Sequence, residues 1–558
     1  MPAPFVLNQS PLDSPFYVLD GDGSLAIPGR DILVELDAWD IAGAALTTFY
    51  FGSKGYNHPT APDYYVPRLE QPLNFRRDIY SAATTGGASR ASFGELRLIN
   101  NDGALDFLRL GYALSGQRVR MLIGDVSQAY ETFEALIVGR VQQAFFNTSD
   151  LTIQLRDRLQ DLTQPIQVNK YAGTNVLPDG LEGAPTEDIK DKPKPLLFGS
   201  VYNATPPCVN TARLIYQVND GPLPFLFVFD NGAALTLGAL YTDQADMEAN
   251  APAAGNFRVW LAGGYFRLGT TPAGTITCNA VDTLADAELT AAQVAVRIVT
   301  LTPPTGEGGV DSADVDFDDV DELDAANSSG VGIWLVNNET YAQALDAVLP
   351  SVGAWYGFDR FGRFRLQRLD LPVLPYVLTL RLASRDAKMA LGEYPIVAYR
   401  FMPSNDPERG TPTWRVTLEY ARNYTVQPPS VTAGVVSQER RNFLGLATRT
   451  EVSESEAVRD VYPLAVEKTV PTLLAEGFDL GQSAAADEAT RLLTMFGTRR
   501  DFLEIDTILR SDLIALVDIG DVVNIVLPRF DYAAGRIMRI IGMQYNAAAG
   551  ILTLALWG

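Results

Sequence analysis

Residues 90–108 run from Arg90 to Leu108 and set short apolar runs on either side of Asn101, Asp102 and Gly103. That triplet tolerates the positive φ that a tight reversal needs, so the stretch predicts strands flanking a turn. Gly116 and Gln117 follow, then a strand in which Val119, Met121 and Ile123 repeat every second residue. Period two means one buried and one solvated face. Nothing in the segment requires a nucleophile, a metal or a phosphate. It reads as scaffold.

The same alternation recurs along the chain. Leu151, Ile153 and Leu155 share a face opposite Thr152, Gln154 and Arg156, and Glu134 to Val141 is another candidate strand. Lys192-Pro193-Lys194-Pro195 forbids a helix, so extended backbone leads into Leu196 and a domain boundary. Strands are predicted at Leu226–Phe229 and Phe257–Leu261, with Asp230-Asn231-Gly232 as a turn. Thr340 and Gln343 form a capping box before the helical spacing of Tyr341, Ala344, Leu345 and Val348. A hairpin then turns between Asp359 and Gly362. A second helix is predicted over 484–496, capped by Ser483, with an Asp487–Arg491 pair and a stop at Gly497. Val523, Ile525 and Leu527, then Leu552, Leu554 and Leu556, alternate to the end of the chain.

With 558 residues, about three or four domains are expected. The 46 Gly and 34 Pro favour β-rich domains with many turns. The reading is a mainly β, multidomain chain with α+β elements. A first β domain covers 1–198 and carries a long loop over 50–80. A second, inserted or peripheral β domain, sandwich-like, covers 199–302. Residues 303–330 are expected to be a solvated linker, because the acids between Asp311 and Asp324 repel one another. A small α+β domain covers 331–389 and a last β domain covers 390–558. No internal repeat at a solenoid period is seen.

A net charge of −23 argues against nucleic-acid binding, which needs clustered Lys and Arg, and against anionic membranes. The start of the chain has no signal-peptide pattern and no apolar run is long enough to span a membrane, so cytoplasmic synthesis is expected. Cys208 and Cys278 are the only cysteines and fit core positions better than a metal site; a single disulfide stays open.

Catalytic motifs are missing from the sequence. There is no Gly-x-Ser-x-Gly elbow, phosphate loop, His-Glu-x-x-His helix or Cys-x-x-Cys pair. His58, the only histidine, sits among Tyr56, Tyr64 and Tyr65 and reads as a loop residue. A carboxylate glycosidase would draw on acids such as Glu131 and Glu134, or Glu393 and Glu419, and nothing singles out either pair. Asp314, Asp316 and Asp318 are spaced as calcium ligands, but Asp319 and Ala325 occupy the positions where an EF-hand loop needs Gly and Glu. No catalytic, cofactor or metal residue is assigned and no enzyme is expected. Tyr56, Tyr64, Tyr65, Trp260 and Tyr265 are the candidates for stacking on sugars.

Five segments, in this order, resemble the baseplate hub and tail-tip proteins of tailed bacteriophages, a family also found in siphophages and gene transfer agents. They are Phe93 to Asp106; Lys194 to Asn203; Pro272 to Thr277; Thr340 to Leu345 with Ser351 to Tyr356 and Arg360 to Phe364; and Ile519 to Pro528 with Ile541-Gly542 and Leu554 to Gly558. The resemblance implies two tail-tube-like β-barrels in one chain, the first in 1–198 and the second in 390–558. It implies a homotrimeric ring that adapts a sixfold tube to a threefold tip and lines a DNA channel. The net charge of −23 suits such a channel, since a lumen lined by carboxylates would repel phosphate. The implied partners are the distal tail protein, the tail tube, other baseplate or tip proteins, and fibres. DNA would pass through without sequence-specific binding, and the implied location is the virion tail tip or baseplate. The alternative reading is a receptor- or carbohydrate-binding tail protein.

Overall fold

The computed structural model describes residues 5–6, 18–19, 25–26, 30–79, 86–185, 189–301, 308–383, 390, 392–402, 411–475 and 481–558. The chain is mainly β and multidomain, as the alternation predicts. Two barrels, a β-sandwich and an α+β layer make it up.

The first barrel takes its strands in the order Val66–Pro67, Ala45–Gly52, Arg30–Asp40, Arg118–Asp125, Glu134–Phe146, Asp150–Arg156, Glu95–Ile99 and Leu69–Gln71. The two end strands of that path are separated only by Arg68, so the ring closes through one residue. Arg68 donates its N–H to Val66 and accepts from Ile99 at 2.7 Å. Its guanidinium grips Asp102 through two bonds of 2.9 and 2.6 Å. Those bonds hold the Asp102 carboxyl down at about 2. The Asn101-Asp102-Gly103 turn therefore pins the closure, with Gly103 at φ +68°. The turn leads not into a strand but into the short helix Asp106–Gly111. The buried Asn100 side chain accepts from Leu105 N–H and donates to Asp106, which steers the chain into that helix.

The span expected as a loop, 50–80, differs from that reading. It holds the two closing strands and Phe75–Asp78. Residues 53–65 also cover the outer face of Arg30–Asp40, which is why both faces of that strand are buried. Ile32, Val34, Leu36 and Ala38 enter the barrel core, while Leu33 meets Tyr56, Tyr65 and Phe133 under the cover. Glu35 is buried beneath it and accepts from the hydroxyls of Tyr65 at 2.8 Å and Tyr130 at 2.5 Å.

The second barrel closes fully: Arg536–Asn546, Val522–Val526, Thr379–Leu382, Glu393–Phe401, Phe502–Ile508, Ile551–Trp557 and back to Arg536–Asn546. Its strand Thr379–Leu382 lies before residue 390, where the last domain was expected to begin. Leu552, Leu554 and Leu556 point inward with Val523, Ile525 and Leu527, as their spacing predicts. One apolar core fills both barrels without a break.

Two five-stranded sheets form the sandwich, and residues of both share one core. The expected boundary at 198/199 falls inside the strand Leu196–Ala204, which pairs with Gly332–Leu335 from beyond the acidic run. The α+β layer is larger than 331–389. Its core takes in the helix Ala291–Val299, the capped helix Tyr341–Val348, the hairpin Ala354–Phe358 with Phe364–Arg368, the sheet built on Thr413–Tyr420, and the helix Gly481–Phe496. The last begins before Ser483, so Ser483 is not its cap. Arg491 pairs with Glu488 at 2.6 Å and Asp370 at 2.9 Å, not with the exposed Asp487. The acidic run is likewise no solvated linker. Phe317–Ala326 is a helix with Asp319, Val320 and Leu323 buried.

Gly199 and Gly332 face each other where the sandwich sheet meets this layer. A Cβ on Gly199, at φ +75°, would lie 2.0 Å from the Val331 carbonyl oxygen. Gly199→Ala is expected to destabilise the chain by about 2–4 kcal/mol through overpacking and the left-handed backbone. Denaturant unfolding followed by circular dichroism measures it.

Candidate functional site

The site with the most structure built into it is the junction of the two barrels. Phe75–Asp78 leaves the first barrel and pairs antiparallel with the second, Asp78 opposite Gly542 and Phe75 opposite Tyr545. The ladder extends through Ile79 N–H to the Ile541 carbonyl at 2.8 Å and Ala547 N–H to Asn74 Oδ1 at 3.0 Å. Phe75 stacks on Tyr545 with ring centroids 4.2 Å apart. Gly542 leaves room for the Asp78 side chain: a Cβ would sit 2.4 Å from Asp78 Oδ1. Arg90–Phe93 then pairs on the outer side of Phe75–Asp78.

Alternation along that strand buries Phe75 and Arg77 and exposes Arg76. Arg77 Nη1 reaches Asp518 of the second barrel at 2.6 Å. The other Asp518 oxygen lies 3.4 Å from Arg365 Nη1, and Arg365 holds Asp319 through bonds of 2.6 and 2.7 Å. Arg363 pairs with Asp359 and with Asp316, and Arg158, just past the barrel strand Asp150–Arg156, with Asp314 at 3.0 Å. The strand Phe364–Arg368 explains the order. Phe364 and Leu366 enter the core, so Arg365 and Gln367 point the other way, onto Asp319. Asp319 is buried because Arg365 neutralises it, while Arg158 and Arg363 anchor the half-buried Asp314 and Asp316 and other acids of the run face solvent. Burial alone would raise the Asp518 carboxyl, but Arg77 and Arg365, with the Ile519 N–H, outweigh it and hold it below the usual carboxylate range.

The other sequence candidates are scattered. His58 bonds Thr60 Oγ1 at 2.9 Å and lies parallel to the Tyr56 ring. Glu393 is held by Arg381 at 2.6 Å, which keeps its carboxyl low, and Glu419 lies in a different sheet. Glu131 is exposed on a turn ahead of Glu134. Asp314 and Asp316 are committed to arginines, and no group of three metal-ligating residues occurs among the described residues. Cys208 and Cys278 remain thiols in the sandwich, and burial pushes the Cys278 thiol up. Of the aromatic candidates, Tyr56, Tyr65 and Tyr265 are buried, Trp260 stacks on Tyr265, and only Tyr64 is exposed. No described helix is long and apolar enough to cross a membrane.

Sequence reading missed an apolar surface at one end of the first barrel. Trp39 and Leu46 pair across the strands there, and the helix Asp106–Gly111 adds Phe107 and Leu110. Ile41 is 63% exposed and Leu110 83%. Phe49, Phe107 and Tyr112 pack edge to face beneath them. The only local signal is an apolar residue on the solvent side of an amphipathic pattern.

The fold defines a class, a mainly β chain organised on two joined barrels. No family model matches the chain, and no curated protein sequence matches it. Among solved structures it is similar to the tail protein from Neisseria meningitidis MC58, at 11% identity over 95% of this chain and 97% of that one, with a TM-score of 0.40. It is similar to the 43 kDa tail protein of prophage MuSo2 from Shewanella oneidensis, at 10% identity over 94% and 98%, TM-score 0.35. A chain of the native gene transfer agent virion shares 14% identity over 66% of this chain and 84% of that one, TM-score 0.36.

Asp518→Ala leaves Arg77, whose side chain is 7% exposed, without its partner. The expected loss is about 3–5 kcal/mol, read from denaturant unfolding. Because the folded Asp518 carboxyl titrates below its unfolded value, its contribution is present above an ordinary aspartate pKa of about 4 and is lost as pH falls through the lower folded value. Acid unfolding of the unsubstituted chain should therefore steepen below about pH 4, and Asp518→Asn should flatten that slope.

Proposed function

We propose that this chain is a structural protein of a phage-like virion tail, a hub or tip component that acts by assembly and not by catalysis. Three copies would place six barrels in a ring, matching a sixfold tube on one side and a threefold tip on the other. The observation that carries the reading is the pair of barrels held side by side by one strand ladder, with interiors filled by a shared apolar core. A filled barrel passes nothing, so a channel for DNA would run between copies. The net charge of −23 suits such a channel, since carboxylates repel phosphate. The apolar surface of Trp39, Ile41, Leu46, Phe107 and Leu110 supplies a place for contact with another subunit or a tail component. The sandwich, outside the two-barrel unit, is where fibres or other baseplate proteins would attach.

Light scattering and negative-stain imaging of the purified chain test this reading. A threefold ring with six barrel densities is expected. A monomer that persists at high concentration overturns it. If copies meet through the apolar surface, Leu110→Glu with Ile41→Glu should raise the concentration needed for assembly by about tenfold or more, with the circular dichroism spectrum unchanged.

A further inference from the structure

Between the strands Thr413–Tyr420 and Arg449–Glu454 the chain leaves the α+β layer, crosses to the sandwich and returns. On the way out Tyr424 donates its N–H to the Tyr202 carbonyl, and its hydroxyl accepts from Trp334 N–H at 2.9 Å. Farther along, Ala433 N–H bonds the Asn231 carbonyl at 2.9 Å. On the short helix Gln438–Leu444, Arg440 lays its guanidinium 3.8 Å from the centre of the Phe229 ring and donates to the Gly232 carbonyl at 3.0 Å. Leu444 fills the space where Gly232 lacks a Cβ.

The seam beneath this segment is polar and incompletely paired. Gln427 is 2% exposed, yet neither atom of its amide has a hydrogen-bond partner among the described residues. The Oδ1 atoms of the buried Asn203 and Asn423, and single guanidinium nitrogens of Arg440 and Arg441, share that state. A buried polar group without a partner weakens the contact that encloses it, and a half-satisfied network holds less firmly than an apolar one. The cores on either side are apolar and contiguous.

We propose that residues 421–447 are a releasable strap. Closed, the strap fixes the sandwich against the α+β layer. Opened as a unit, it leaves the sandwich held at its base by Leu196–Ala204, its pairing with Gly332–Leu335 and the Arg297–Asp282 ion pair, free to tilt about that edge. This device does not depend on a role in a virion tail.

Hydrogen exchange on the full chain, read by mass spectrometry, tests it. Peptides within 421–436 should exchange about tenfold or more faster than those in Thr413–Tyr420 and Phe225–Asp230. Gln427→Met keeps the volume and removes the unpartnered amide, so it should slow strap exchange severalfold. Arg440→Ala removes the pin, so it should speed exchange and raise the radius of gyration in small-angle scattering. Strap peptides protected as well as Thr413–Tyr420 would overturn the proposal, and so would Gln427→Met accelerating exchange as Arg440→Ala does.

Discussion

Four residues from one barrel, Phe75 to Asp78, laid along Gly542 to Tyr545 of the other, join the two rings through a single strand ladder. A closed barrel has no edge to offer. The junction exists because Arg536–Asn546 serves three neighbours: its first residues pair with Val522–Val526, most of its length with Ile551–Trp557, and Gly542 to Tyr545 with the incoming strand. Gly542 makes room, Phe75 and Tyr545 stack across it, and register is then set, because a one-residue slip would turn Arg77 out of its pocket.

Arg77 carries that constraint into the rest of the molecule. It binds Asp518, Asp518 binds Arg365, and Arg365 binds Asp319 on a helix from a separate part of the chain. Charges this enclosed are held only while each has its partner, since an unpaired ion at such depth costs several kcal/mol. The acidic run therefore depends on the hairpin that neutralises it, and the hairpin depends on the junction.

Much of the fold was legible from local pattern. Leu151, Ile153 and Leu155, the Thr340–Gln343 capping box, the turn at Asn231-Gly232 and the closing Leu552, Leu554 and Leu556 all sit where their spacing puts them. The helix Ala291–Val299 went unread although Thr290 caps it by accepting from Gln293 N–H. Its Val and Ile residues mask the helical period, and it is buried on nearly every side. Asp487 lies at the right spacing for Arg491, but a residue one place on and a distant aspartate compete better because they are less exposed to water. The junction site was illegible, since its members are 441 residues apart at Arg77 and Asp518 and 46 apart at Asp319 and Arg365.

By itself the sequence determined the mainly β class, the turns, the capped helix Tyr341–Val348 and the alternation that fills each barrel, because those arise from periodicity and backbone preference within a few residues. Only the tertiary structure decided which strands close which ring, that Arg68 completes the first, that the acidic segment packs as a helix with Asp319 buried, and that the barrels share a sheet. Those outcomes rest on hydrogen-bond ladders and ion pairs between distant segments. A backbone N–H or a carboxylate looks the same in sequence whichever partner it finds.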